Sequence, residues 1–306
     1  MNISVVIPIF NEEENIPELY RRLTDVMSSI GTYELIMVDD GSKDKSWELI
    51  KDLNKRDPRV KGLTFSRNFG HHIAITAGLD YAKGEAVILM DGDLQDPPEE
   101  IPKLYEKFRE GYDVVYAIRG ERKDPFFKKI TSWVFMKILK KISQVDMYTQ
   151  SGIFRIMSKR CVENLRNIKE KSRFLVGLIN WVGYPQIGVI TKRHMRYAGK
   201  SKYSLFKLFK LAWHGVTSFS YVPLQLATYF GFLVAIISFI IGLYMLLKKL
   251  ILGIPLLGYA SIIVSLFFLG GVILFVLGIM GEYIGRIFTE VQQRPLYIIK
   301  ENMIET

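Results

Sequence analysis

The chain has 306 residues, and its 41 Lys and Arg outnumber 31 Asp and Glu for a formal net charge of +10. That length holds one sizeable soluble domain and something more, and the basic balance suits nucleic acid, anionic lipid or phosphorylated substrates. The single cysteine, Cys161, excludes an internal disulfide framework and fits a reducing compartment.

The N-terminal run Asn2 to Pro8 lacks the basic region and the longer apolar core of a signal peptide. The first 120 residues alternate short apolar strands with amphipathic helices. Strands are expected at 3–8, 33–38, 60–65, 85–90 and 113–117, and helices at 12–29, 44–56, 71–82 and 98–109. This β-α-β-α order predicts an α/β fold, a mostly parallel sheet with helices on both faces. Loop chemistry recurs where strands end: Pro8-Ile9-Phe10-Asn11-Glu12, Asp39-Asp40-Gly41-Ser42, Arg67-Asn68-Phe69-Gly70, and Asp91-Gly92-Asp93-Leu94-Gln95-Asp96. These loops are expected to converge on one sheet edge as a nucleotide-sized cleft. The G-x-G-x-x-G and Walker A patterns are both absent.

The acidic pair is the sharpest of these signals. It follows the apolar run Ala86 to Met90, so it belongs at a strand's C-terminal end, where open α/β sheets place ligands. Aspartates at i and i+2 can both reach one hard cation, and Mg²⁺ or Mn²⁺ held this way can bridge phosphates. Taken alone, the same residues also read as a solvated Asp-Gly turn.

Beyond residue 120, segments 126–142 and 203–219 mix aromatics, aliphatics and lysines at helical spacing. Such basic amphipathic helices can lie in a membrane interface, and the second runs into a long apolar stretch. No Asp, Glu, Lys or Arg occurs from Leu211 to Leu247, or from Leu250 to Gly281. A span needs roughly 20 apolar residues, so two transmembrane helices are expected, at about 223–247 and 256–281. Gly242, Gly270, Gly271 and Gly278 suit close helix packing in lipid and permit a homo-oligomer. Lys200, Lys202, Lys207, Lys210, Arg286, Arg294 and Lys300 flank one side of the hairpin, against Lys248 and Lys249 on the other. That bias favours a cytoplasmic N-terminal domain and tail. The expected organisation is a catalytic domain over 1–200, an interfacial helix over 201–221, a hairpin over 222–285 and a cytoplasmic tail over 286–306.

Three ordered motifs carry a resemblance: Val5-Val6-Ile7-Pro8 with Asn11-Glu12-Glu13, then Val38-Asp39-Asp40-Gly41-Ser42-Lys43-Asp44, then Asp91 to Pro98. Together they resemble the inverting family 2 glycosyltransferases with the GT-A fold. With the two C-terminal spans, the chain is similar to the polyprenyl-phosphate glycosyltransferases. These include the dolichol-phosphate mannose synthases and their two-span bacterial undecaprenyl-phosphate glucosyltransferase relatives. The resemblance implies transfer of a single sugar from a nucleotide-sugar, UDP-glucose or another UDP-hexose first, to undecaprenyl phosphate. It implies an inner-membrane, multi-pass enzyme with its catalytic domain in the cytoplasm and no nucleic-acid partner.

The implied roles fall on particular residues. Pro8, Asn11, Glu12, Asp39, Asp40, Asp91, Gly92 and Asp93 match nucleotide-binding positions. Asp91, Asp93 and Gln95 match the site of a Mg²⁺ or Mn²⁺ ion and the diphosphate. Arg119 and Arg155 match basic positions near the phosphates, and Asp91, Asp93 and Arg155 are the catalytic candidates. Arg196, Lys200 and Lys202 match a basic loop near the acceptor phosphate and the membrane. Some bacterial relatives carry an aspartate where this chain has Ile153, which argues against an essential base there.

The chemistry suits that assignment. Sugar transfer expels a nucleoside diphosphate, and a cation with guanidinium groups offsets the charge that develops. A lipid phosphate is already ionised near neutral pH and attacks without a strong base. His71 and His72, adjacent on a helix, point in different directions and are not read as a metal pair. Cys161 is read as a thiol without a role. Two other readings are a processive polysaccharide synthase and a catalytically silent membrane scaffold. The missing Gln-x-x-Arg-Trp motif argues against the first, and the intact Asp91, Asp93 and Gln95 against the second.

Overall fold

The computed structural model describes residues 2–119, 151–171, 173–192, 221–252 and 258–304. The helices expected at 126–142 and 203–219, and the loop carrying Arg196, Lys200 and Lys202, lie outside the described residues. The described residues form two compact units: 2–119, 151–171, 173–192 and 294–304 in the first, and 221–252 and 258–293 in the second.

The first unit is built on β1 (Ile3–Ile9), α1 (Ile16–Ser28), β2 (Tyr33–Asp39), α2 (Ser46–Arg56), β3 (Val60–Phe65) and α3 (His71–Tyr81). It continues through β4 (Ala86–Leu89), a 3₁₀ turn at Pro98–Glu100, α4 (Ile101–Arg109), β5 (Val114–Arg119) and β6 (Ser151–Ser158). Then come α5 (Lys159–Asn167), α6 (Leu175–Trp181) and β7 (Gln186–Thr191). β1 and β2 are buried at every position, because helices cover both faces of the sheet. α1 buries Ile16, Leu19, Leu23 and Met27, a stripe at helical spacing. α3 presses so close that a Cβ on Gly78 would stand 2.3 Å from Val6 Cγ1.

The described strands form one eight-stranded sheet in the order β7-β5-β6-β4-β1-β2-β3, with β8 (Ile299–Asn302) on the outer edge of β3. β6 and β8 run against the rest, so the sheet is mixed and mostly parallel, as the expected GT-A architecture requires. From β1 the chain steps outward through β2 and β3, then returns to place β4 on the other side of β1. Such a reversal leaves a crevice at the C-terminal strand ends, where α/β sheets bind ligands. Pairing between β1 and β4 stops at Val6 and Leu89, whereas β1 and β2 stay paired to Ile9 and Asp39. Pro8 has no N–H to donate to a ladder and falls where β4 has already parted.

The segment expected as a tail returns to this unit. β8 pairs with β3 through Leu63 and Asn302, Thr64 and Glu301, and Phe65 and Ile299. Met303 N donates to Gly62 O at 2.8 Å, and Tyr297 stacks on Phe65 with ring centroids 5.1 Å apart.

The second unit holds α7 (Val222–Leu252) and α8 (Tyr259–Val291). Val222–Met245 and Val264–Val291 are long and apolar enough to cross a membrane. Phe239 is 71% and Phe267 76% exposed, a presentation that suits hydrocarbon and not water. α8 continues past the expected end at 281, through Glu282 and Arg286, which lie 3.4 Å apart as an i, i+4 pair. A Cβ on Gly242, Gly270, Gly271 or Gly278 would meet nothing within 4 Å. Among the described residues, the close packing expected at these glycines is not made.

Candidate active site

The turn after β4 lies against the end of β1. A Cβ on Gly92 would come 2.7 Å from Ile9 Cδ1 and 3.4 Å from Pro8 O, which fixes the Asp91–Asp93 segment at the crevice. Leu94 adopts a φ of +59° and buries its side chain in the core, pinning the turn from below. Asp93 Oδ1 accepts from Gln95 N at 3.1 Å, and the Asp91 side chain is 30% exposed. Asp91 and Asp93 thus flank one glycine at the crevice.

The loops after β1 and β2 are laced together. Asn11 N donates to Ser42 Oγ at 2.9 Å, while Lys43 N donates to Asn11 Oδ1 at 2.9 Å. Glu12 N donates to Ser46 Oγ at 2.9 Å, and Glu13 and Asp44 accept from each other's loop. Asn11 holds a φ of +54°, a conformation that asparagine tolerates better than most residues.

Asp39 and Asp40 are buried, and their oxygens are engaged by the protein. Ser42 N and Thr64 Oγ1 donate to the two oxygens of Asp39, at 3.2 and 2.6 Å. Phe69 N at 2.7 Å and Gly70 N at 3.0 Å donate to Asp40. Burial raises the Asp40 carboxyl above its ordinary value, partly offset by those two amides. Gly41 stands between the loops with a φ of +70°, and a Cβ there would be 2.6 Å from Arg67 C. The fold therefore brings Pro8, Asn11, Glu12, Asp39, Asp40, Asp91, Gly92 and Asp93 to one edge. In this structure the Asp39 and Asp40 carboxylates brace the neighbouring loops.

The basic residues divide. Arg119 ends β5, its backbone opposite Thr191 of β7. Arg155 sits within β6, opposite Leu89 and Tyr116, and is 1% exposed. Its guanidinium donates to Gly152 O at 2.6 Å and Ile153 O at 3.3 Å, and burial pushes it down to about 10. Arg155 therefore remains charged at neutral pH.

Burial, with His71 and Arg155 nearby, holds His72 down to about 4, so this imidazole is neutral. Cys161 is buried and its thiol is pushed up to about 12, which makes it an inert core thiol. His71 was not among the expected site residues, yet the fold brings its Nε2 to 3.3 Å from Asp91 Oδ1. Its place at a helix start directly after a strand-end loop was the available signal. An open groove of about 590 Å³ lined by Ser29, Pro102, Tyr105 and Arg109 contains none of the motif residues.

A mostly parallel sheet with paired carboxylates at its strand-order reversal is the setting in which open α/β folds bind ligands. Residues 4–166 match the family described as Glycosyl transferase family 2, and the chain belongs to that family. It is accordingly a glycosyltransferase. It is 46% identical over 305 residues to the SfII prophage-derived bactoprenol glucosyl transferase of Shigella flexneri, covering 99% of this chain and 98% of that protein. It is also 46% identical over 301 residues to the uncharacterized glycosyltransferase YkcC of Bacillus subtilis, covering 98% and 93%. The solved glucosyl-3-phosphoglycerate synthase of Mycobacterium tuberculosis with Mn²⁺, UDP and glucosyl-3-phosphoglycerate is 19% identical, covering 69% of this chain and 76% of that one with a TM-score of 0.44.

Proposed function

We propose that this glycosyltransferase moves one sugar from a nucleotide-sugar, UDP-glucose first, to a polyprenyl phosphate at the cytoplasmic face of the membrane. The observation that carries the reading is the pair Asp91 and Asp93 at the crevice between β1 and β4, on a chain that also holds two helices able to span a bilayer. The bactoprenol named for the 46% identical Shigella protein supports a polyprenyl acceptor.

The donor set fits Mg²⁺ or Mn²⁺. No group of three His, Cys, Asp or Glu among the described residues could enclose a metal. Hard cations of this kind are held by one or two carboxylates with substrate phosphates completing the shell. Asp91 and Asp93 would hold the ion, with Gln95 beside them. Bound there, it would neutralise charge on the departing diphosphate.

The remaining roles belong to the chain. The laced loops at Pro8 to Glu12 and Asp39 to Ser42 would form the nucleoside wall. Asp91 and Asp93 would orient the diphosphate along the crevice. Arg119, Arg196, Lys200 and Lys202 would hold the acceptor phosphate against an anionic donor, and Arg155 would add a fixed positive charge behind the site. An ionised phosphate attacking opposite the leaving group gives inversion in one displacement and needs no base at Ile153. The test is a panel of nucleotide-sugars presented with undecaprenyl phosphate and Mg²⁺ or Mn²⁺ to the purified full chain. A lipid-linked sugar with a UDP-hexose is expected; no lipid product with any donor would refute the proposal.

A further inference from the structure

We propose that His71 is a positioning residue for this reaction, orienting the Asp91 carboxylate to receive the cation, and that Asp40 sets His71 in place. The inference rests on the assignment of Asp91 and Asp93 as the metal-diphosphate site.

His71 Nε2 stands 3.3 Å from Asp91 Oδ1, a close polar approach of the two side chains. His71 opens α3, and the residue before it, Gly70, turns the chain into the helix with a φ of +108°. The preceding loop is fixed from several sides. Asp40 accepts from the amides of Phe69 and Gly70 at 2.7 and 3.0 Å. Gly41 lies flush against Arg67 and Asn68, where a Cβ would be 2.6 and 2.8 Å from their backbone atoms. Phe69 packs edge-on against Phe65 at 5.6 Å, under the Arg67 guanidinium at 4.2 Å. The ends of β2 and β3 thereby place His71, while the end of β4 places Asp91.

An outer partner that limits the rotation of a metal-binding carboxylate supports metal affinity. Losing such a partner costs about 10–100-fold in metal affinity. His71 is 46% exposed and contributes little to the core, so its replacement leaves the fold standing. The Asp40 carboxylate accepts from the two backbone amides just before His71 and so fixes the loop from which His71 starts.

The experiment is Mn²⁺ titration of the full chain in detergent with UDP present, followed by loss of the free-ion electron paramagnetic resonance signal. His71→Ala is expected to raise the Mn²⁺ dissociation constant about 10–100-fold. His71→Gln, whose side-chain amide can donate near the position of Nε2, restores most of the affinity. Asp40→Asn, which keeps the size but loses one acceptor oxygen, weakens Mn²⁺ binding in the same direction. Thermal midpoints without metal stay at the wild-type value for both His71 variants. Wild-type Mn²⁺ affinity in His71→Ala would overturn the proposal, as would equal weakening in His71→Ala and His71→Gln. A wild-type chain that binds no Mn²⁺ with UDP would instead overturn the metal-diphosphate assignment beneath it.

Discussion

Gly41 shows how single positions hold the site together. Its φ of +70° and a would-be Cβ 2.6 Å from backbone leave no room for a side chain. Gly41→Ala is expected to destabilise the unit by about 2–3 kcal/mol, from overpacking and left-handed strain combined. Thermal unfolding measures the loss. His72 carries a pH effect. Its folded value of about 4 lies below the usual 6.5 or so of an unfolded histidine, so as pH falls the unfolded chain takes the proton first. Stability falls as pH drops from about 6.5 toward 4, by about 3 kcal/mol in all, and this contribution levels off below. His72→Phe is expected to flatten the midpoint between pH 7 and 5; an unchanged slope would mean that His72 is not the titrating group. The Asp91-Gly92-Asp93 pair was legible because its residue types and its place after an apolar run both speak in sequence. The His71 contact was not, since it depends on how Asp40 folds a loop from another strand. Arg155 was expected as a basic residue near the phosphates, and its burial inside β6 was not legible, because sheet pairing and not hydrophobicity put it there.

Elements differ in the same way. β1 to β5 and α1 to α4 announced themselves through apolar runs and helical stripes near the observed bounds. β8 did not, because Ile299-Lys300-Glu301-Asn302 has too little apolar patterning and finds its place only by pairing with distant β3. Its anchoring is extensive. Tyr297 stacks on Phe65 and donates to Asp80 Oδ2 at 2.9 Å, and Lys51 lies 3.5 Å from Glu301. Tyr297→Ala is expected to cost about 2 kcal/mol through the lost ring contact and hydrogen bond. Ending the chain at Gln293 should cost more, since it uncovers the edge of β3 and leaves Gly62 O without the Met303 amide. Limited proteolysis would report this as faster cleavage within the first unit, whereas unchanged protection would deny β8 a structural role.

At the scale of the whole molecule, the chain leaves the first unit before the two apolar helices and returns to it afterwards. Deleting everything from Val222 onward would therefore remove a sheet strand together with both helices. The role of α7 and α8 is better tested with long-chain against short-chain polyprenyl phosphates on the intact protein. These two helices were legible because uncharged runs of that length are rare outside a bilayer. Donor and acceptor identities were not, since they depend on pocket walls assembled from several loops. The most direct measurement is transfer of radiolabelled glucose from UDP-glucose to undecaprenyl phosphate by wild type and Asp93→Ala in detergent with Mn²⁺. Labelled lipid from wild type and a drop of at least about 100-fold in the variant is the expected result. Equal transfer by the two proteins would contradict the assignment of the acidic pair.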